Sequence, residues 1–251
     1  MRVIYIALRD FDSSSWIPVA KVQKKNDLYS LIYTRGAARL RGFEGFFRMR
    51  DLGCEFYSSD IFPILKNRLL SKGRPEYGVY KEWMGRSRDD SDVFEELART
   101  GGLRGTDDIE LIPVPEKTSD GRYEAYFFSH GLRHLDKSNV EAVNSVPTGA
   151  RVFLARDVQN SHDRFALLLR VEDPRTVLGY VPRYYSQAFS SLLDIDSESV
   201  DVTVFRVNKG APPAFRVLCK LSAPWSSGFD PCGQDLYRPL VDSPNVVNVY
   251  F

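Results

Sequence analysis

Several things are scarce in this chain of 251 residues, and each scarcity removes a class of function. There are three cysteines, Cys54, Cys219 and Cys232, far apart and with no C-x-x-C pair, which removes cysteine-based zinc and redox motifs and fits a reducing cytoplasm. His130, His134 and His162 are the only histidines, so a histidine metal centre would need nearly all of them; no metal and no cofactor are expected. No apolar run approaches the roughly 20 residues that span a bilayer, so no membrane association is expected. The opening "MRVIYIALRDFDSSSW" is too short in its apolar part for a secretory signal, with Arg9 and Asp10 interrupting it. A G-x-x-x-x-G-K-[ST] phosphate loop is missing, as are a G-x-S-x-G elbow and a Cys/His dyad in a suitable setting, so neither an NTPase nor a covalent hydrolase is supported. An excess of either charge is also lacking. The net charge is +1, so any nucleic-acid contact must come from local basic patches.

What is present is an ordinary globular composition, 43% hydrophobic and 27% charged, with room for one large domain or two modest ones. "VIYIALRD" and "LYSLIYT" read as strands separated by the turn-prone "KKND". Ile61, Leu65 and Leu69 repeat at helical spacing in "IFPILKNRLLSKGRPEY", with Arg74-Pro75 ending that helix. "DVFEELAR" is a short helix capped by Asp92 and stopped by Gly101-Gly102. "IELIPVPEK" reads as an edge strand broken by proline, and "TSDGR" as a linker that puts a domain boundary near residue 118 to 120. Beyond it "RYEAYFFSHGL", "ARVFLARD", "RFALLLRV", "TVLGYVP", "SVDVTVFRV" and "AFRVLCKL" are strands, with a helix in "YYSQAFSSLLD". The expectation is a mainly β, α+β protein: an N-terminal β-rich module with short helices over 1–118, and a small β-barrel with one or two helices and a C-terminal tail over 119–251. The last residues, "VVNVYF", are suited either to pairing with a sheet or to packing on the surface.

Three clusters carry candidate chemistry. In "NSHDRFALLL" a polar group holding His162 and Asp163 leads directly into an apolar strand, a pattern compatible with catalysis, a metal site or a ligand-reading turn. Arg35, Arg39, Arg41, Arg48 and Arg50 alternate with Phe43, Phe46 and Phe47, which suits a nucleic-acid groove or a solvated arginine face around core aromatics. Asp107, Asp108, Glu110, Glu116 and Lys117 loosely follow a metal-dependent nuclease strand. However, Glu116 and Lys117 are adjacent, and Pro113 and Pro115 interrupt the run, so no enzyme is expected.

The second half resembles the HIRAN domain, a small β-barrel module. The resemblance rests on "GLRH" from Gly131, "VPTGARVFLARDVQNSHDRFALLL" from Val146, "LGYVPRYYSQAFSSLL" from Leu178 and "PAFRVLCKL" from Pro213, over roughly residues 123 to 222. It implies recognition of single-stranded DNA or of a 3′ hydroxyl end. On the matching positions, Arg133 would hold phosphate, Asn160 and Asp163 would line the pocket with Asp163 accepting from the terminal hydroxyl, and Phe215 would stack on a base. His134 and His162 stand where a eukaryotic relative has tyrosines, and Tyr180 where it has a histidine. Arg156, Arg164 and Arg183 are further phosphate candidates. Beside these roles stand structural ones: Asn160 and Asp163 are suited to fixing a turn, Phe215 to a core position, and Gly179, Tyr180 and Pro182 to a strand exit and helix entry.

The first half is faintly similar to the N-terminal subdomain of HipA-type toxin kinases, through "YTRGAARLRGFEGF" and "FYSSDIFPILKNRLLSKGRPEY". That likeness implies a partner-binding or regulatory module and brings no catalytic residue. The combined expectation is a non-enzymatic, cytoplasmic DNA-binding protein that recruits or regulates a helicase, nuclease or toxin in repair, toxin control or phage defence. The alternative is a protein-interaction module without nucleic-acid binding.

Overall fold

The computed structural model describes residues 2–12, 15–102 and 108–251. In chain order the elements are β1 (Arg2–Arg9), β2 (Trp16–Lys25), β3 (Leu28–Tyr33), α1 (Arg35–Arg39), β4 (Cys54–Ser58), α2 (Pro63–Lys66), α3 (Tyr77–Trp83), α4 (Val93–Thr100) and β5 (Ile109–Val114). They continue as β6 (Arg122–Phe128), α5 (Lys137–Val143), β7 (Phe153–Arg156), β8 (Leu167–Glu172), β9 (Arg175–Tyr180), α6 (Arg183–Asp196), β10 (Asp201–Val207), β11 (Val217–Pro224) and β12 (Asn245–Asn248). The protein is mainly β. Among the described residues no helix is long and apolar enough to cross a membrane.

The chain forms two compact units, and both are discontinuous in sequence. One comprises Met1–Leu70, Asp92–Pro115 and Cys232–Phe251; the other comprises Ser71–Ser91 and Glu116–Pro231. A single cut near residue 118 therefore becomes four crossings. Two of them bracket Ser71–Ser91, and another exists because the C-terminal segment returns to the first unit, where β12 pairs in parallel with β4. The expected linker "TSDGR" is a turn inside the second unit, closed by Thr118 N–H donating to the Arg122 carbonyl at 2.9 Å.

The first unit is built on a six-stranded sheet in the order β12-β4-β3-β2-β1-β5. β2 and β3 are joined by the two-residue turn Asn26-Asp27, in which Asn26 takes φ 54°, a left-handed conformation that asparagine tolerates. Proline-containing β5 lies at the sheet edge, pairing with β1 alone, where the missing N–H costs no ladder bond. α4 packs Phe94 and Leu97 into the core; its N-terminus is capped by Asp92, which accepts from the backbone N–H groups of Phe94 and Glu95, and it ends at Gly101 with φ 64°. The helix expected from Ile61 onward is reduced to the single turn of α2. Past it the backbone closes three-residue turns, Arg68 N–H to the Leu65 carbonyl and Leu69 N–H to the Lys66 carbonyl, while buried Arg68 reaches out to the Gly102 carbonyl at 2.7 Å. A separate helix, α3, starts just past Pro75 and belongs to the second unit.

The second unit holds two three-stranded antiparallel sheets, β10-β11-β6 and β7-β8-β9. Short backbone bridges join them at both edges: His130, beyond the end of β6, with Tyr180, the last residue of β9, and Arg151, ahead of β7, with Thr203 of β10. Hydrogen bonding thus runs round a ring of six antiparallel segments. Alternation fills it. β8 turns Leu167, Leu169 and Val171 inward and Leu168, Arg170 and Glu172 outward. α6 lays Tyr185, Phe189 and Leu192 on the same core, and Cys219 is fully inside it, where burial pushes its thiol pKa up to about 12.

Candidate nucleic-acid interface

The connection from β7 to β8 is folded by its own polar side chains. The Asp157 carboxylate accepts from Gln159 N–H at 3.2 Å, Asn160 Oδ1 accepts from both His162 N–H (3.0 Å) and Asp163 N–H (3.1 Å), and Asp163 Oδ1 accepts from Phe165 N–H (2.9 Å). Short acidic and amide side chains that satisfy N–H groups two and three residues on make such a loop rigid. Asn160 and Asp163 therefore do hold a turn. The Asn160 acceptor is fully used in doing so, whereas the second Asp163 oxygen, Oδ2, has no hydrogen-bond partner among the described residues.

Tyr180, at the end of β9, ties this loop to the opposite wall. Its hydroxyl donates to Asp157 Oδ2 at 2.9 Å, the same oxygen that Asn160 Nδ2 approaches at 3.4 Å. Burial, then the Asp157 carboxylate, raise the Tyr180 pKa above its ordinary value. The Tyr180 backbone exchanges two hydrogen bonds with His130, at 2.8 and 2.9 Å. That crossing is too close for side chains: a Cβ on Gly179 (φ 99°) would lie 2.2 Å from the His130 carbonyl oxygen, and one on Gly131 (φ 80°) would lie 3.3 Å from the Tyr180 ring. The two glycines of "GLRH" and "LGYVP" thus serve one strand contact.

Gly131 leads into the single 3₁₀ turn Leu132–His134, which buries Leu132 and leaves Arg133 and His134 exposed, with Arg133 Nε donating to His134 Nε2 at 3.0 Å. Arg183 is exposed at the start of α6, and His162 is exposed on the loop. His130 behaves differently. Its Nε2 is buried without a hydrogen-bond partner, and burial, helped by the Arg183 guanidinium, pushes its pKa down to about 4, so the ring is neutral at pH 7. The structure therefore gathers Asn160, His162 and Asp163 on one hydrogen-bonded loop anchored by Tyr180 of β9, with Arg133, His134 and Arg183 on the segments that follow the His130–Tyr180 crossing.

Phe215 sits elsewhere in this neighbourhood. It lies in the 3₁₀ turn Pro213–Phe215, beside the Leu132–His134 turn, instead of on the strand expected for it, because β11 begins only at Val217. Trp83 stacks on its ring at 5.8 Å and 22°, and Tyr80 and Phe128 meet it edge-on at 5.6 and 5.3 Å. Asn208 clamps the arrangement by donating to the Trp83 and Phe215 carbonyls. Arg156 is engaged by α6, donating to Asp194 at 2.5 Å, and the Arg164 guanidinium covers the Phe165 ring at 4.6 Å.

Asp157 is the residue that reading for function overlooked. It occurs in the quoted stretch, and the D-x-x-N-x-x-D spacing that repeats every three residues is the signal that marks it. Trp83 carries no local signal, being more than a hundred residues from the ring it covers.

In the first unit the arginine-rich segment is split by its contacts. Phe43 and Phe46 turn to Tyr33 at ring distances of 5.7 and 5.9 Å, leaving Phe47 as the exposed aromatic. The Tyr33 hydroxyl donates to the Met49 carbonyl and accepts from Phe46 N–H, and burial pushes its pKa up to about 12. Arg35 pairs with Asp235, Arg48 donates to the Tyr250 carbonyl at 3.1 Å, and Arg39 and Arg41 are exposed. The interleaved aromatics are thus mainly core, with an arginine face outside. Of the acidic run, Glu110 is buried in β5, and Asp107 lies outside the described residues.

Residues 123–226 match the HIRAN domain family, which is less than half of the chain. Two solved structures are similar over 41% of this chain: a protein from Lactobacillus plantarum, 20% identical with 97% of that chain covered and a TM-score of 0.32, and the HIRAN domain of human HLTF, 17% identical with 74% covered and a TM-score of 0.31. No curated protein matches the chain.

Proposed function

We propose that the second unit binds single-stranded DNA at a free 3′ end, without catalysis, and presents that end to a protein partner such as a helicase, nuclease or toxin. One observation carries the reading: the turn fixes Asp163 through one carboxylate oxygen and leaves the other open, on the loop that Tyr180 anchors, while Arg133 and Arg183 are exposed on the segments just past the His130–Tyr180 crossing. A fixed carboxylate is a strong acceptor for a ribose hydroxyl, since a hydrogen bond to a charged oxygen is about twice as strong as a neutral one. The arginines supply phosphate contacts whose strength falls with salt. The HIRAN match over residues 123–226 supports the same chemistry.

A second reading, a protein-binding module, has its own support in Val158, 87% exposed on the same loop, and in the Phe215 ring that Trp83 already covers. Two substitutions separate them. Asp163→Asn retains an acceptor for Phe165 N–H and so leaves the turn and the melting temperature in place, while the preference for a 3′ hydroxyl is expected to vanish. Arg133→Ala is expected to weaken all DNA binding and to reduce the salt slope by about one. Unchanged DNA affinity in both variants would favour the protein-binding reading.

A further inference from the structure

An open groove of about 470 Å³ lies on the second unit, lined in part by Arg151, Phe153, Arg170, Ser197 and Glu198. Its position in the sheet register ties it to the candidate site. Ala155, Leu168 and Tyr180 are directly opposed across β7, β8 and β9, and two residues along β7 and β8 the next outward row starts with Phe153 and Arg170, which meets Val177 across a bulge that gives β9 one extra residue. Directly opposed residues and residues two apart share a sheet face, so Phe153 and Arg170 stand on the same outer face as Tyr180. The rows are about 6.8 Å apart at about 3.4 Å per residue, which is about two nucleotides at a stacked rise of about 3.4 Å.

The groove combines the two features that single-strand recognition uses. Phe153 is only partly buried, and the guanidiniums of both Arg151 and Arg170 lie 5.3 Å from its ring centre. Two like charges held on one aromatic ring favour an anion, and as a phosphate draws the guanidiniums off it the half-exposed ring becomes a stacking surface that tolerates any base. Arg170 also contacts Glu172 at 3.2 Å, and Glu198 lines the same wall. Both members of the Arg170–Glu172 pair are exposed, so a phosphate displaces that contact at little cost.

We propose that this groove is a second nucleic-acid subsite, in which Arg151 and Arg170 hold a backbone phosphate and Phe153 stacks a base of the strand whose 3′ end lies at Asp163. The proposal rests on the end-binding reading, because that reading fixes the occupant as the nucleotides on the 5′ side of the terminal one. It also adds a consequence: affinity must grow with strand length until the groove is filled.

The test compares fluorescent oligothymidylates of about three and about ten nucleotides, both with a free 3′ hydroxyl, the shorter below and the longer within the roughly 4–16 nucleotides that a small β-barrel module covers. Wild-type protein should bind the longer strand more tightly. Phe153→Ala should lose roughly 5- to 150-fold on the longer strand, from about 1–3 kcal/mol per stacked base at about 1.4 kcal/mol per tenfold, and change little on the shorter one. Phe153→Trp should restore the loss, which a merely destabilised fold would not do. Arg151→Gln and Arg170→Gln should each reduce the salt slope on the longer strand by about one. If wild type shows the end preference but no length dependence, or if Phe153→Ala weakens both strands equally, the subsite is refuted while the end-binding reading stands. If wild type binds neither strand, both fall.

Discussion

Replacing Gly179 by alanine tests whether the strand crossing at Tyr180 organises the site. The new Cβ would sit 2.2 Å from the His130 carbonyl oxygen, a backbone atom that no rotamer change can remove, and the residue would keep φ 99°. Relief requires the strands to part, which breaks the two His130–Tyr180 backbone bonds of 2.8 and 2.9 Å. Those bonds are worth about 1 kcal/mol each, and the positive φ costs roughly 1–2 kcal/mol in a residue with a Cβ, so with the residual clash the loss is about 3–5 kcal/mol. For a chain of this length, roughly 2–4 °C accompanies each kcal/mol, which gives a fall in Tm of roughly 6–20 °C. Gly210→Ala is the control: it has φ 78° but nothing within 4 Å of the added Cβ, so only the conformational cost applies. Thermal unfolding followed by circular dichroism measures both. A Gly179→Ala variant that melts within about 2 °C of Gly210→Ala would refute the close crossing as the cause.

Two further expectations follow from the same geometry. His130 is depressed to about 4 in the folded state against an ordinary value of 6.5. A histidine held neutral contributes fully above 6.5 and becomes a liability as the pH falls from there to 4, because only the unfolded chain then takes up the proton. Stability should therefore drop by about 2–3 kcal/mol between pH 7.5 and pH 4.5 on this residue's account, and urea titrations of His130→Gln should show a correspondingly flatter profile. A wild-type His130 that titrates near 6.5 by NMR would contradict it. Tyr180→Phe removes the 2.9 Å bond to Asp157 and should cost about 1–2 kcal/mol in urea unfolding, with weaker binding of DNA ends as the loop loses its anchor; no change in either would show that the loop stands without it.

The elements that could be read directly were those whose signals are local. α4 carries its start and stop in Asp92 and Gly101, and the β2–β3 hairpin is written in Asn26-Asp27. Local signals failed where distant residues decide. The single-turn α2 follows helical spacing in sequence but ends where Arg68 reaches for Gly102. The C-terminal strand joins β4 across nearly two hundred residues, which no periodicity reports. The same division holds at the site. Asn160 and Asp163 were identifiable from motif and spacing, and Asp157 could have been, whereas the pairing of Phe215 with Trp83 depends on a segment far back in the chain. The positive-φ glycines at 131 and 179 belong to recognisable motifs, but their reason, one backbone passing against another, exists only in three dimensions.

End recognition at Asp163 is decided by fluorescence anisotropy of the unmodified protein with one single-stranded oligonucleotide carrying either a 3′ hydroxyl or a 3′ phosphate, at two salt concentrations. Phosphorylation removes the hydroxyl that would donate to Asp163 and sets new negative charge beside its carboxylate, so tight binding of the hydroxyl end and a large loss with the phosphate end are expected at both salts. Equal affinity for the two ends, falling together as salt rises, would contradict an end-reading pocket at Asp163.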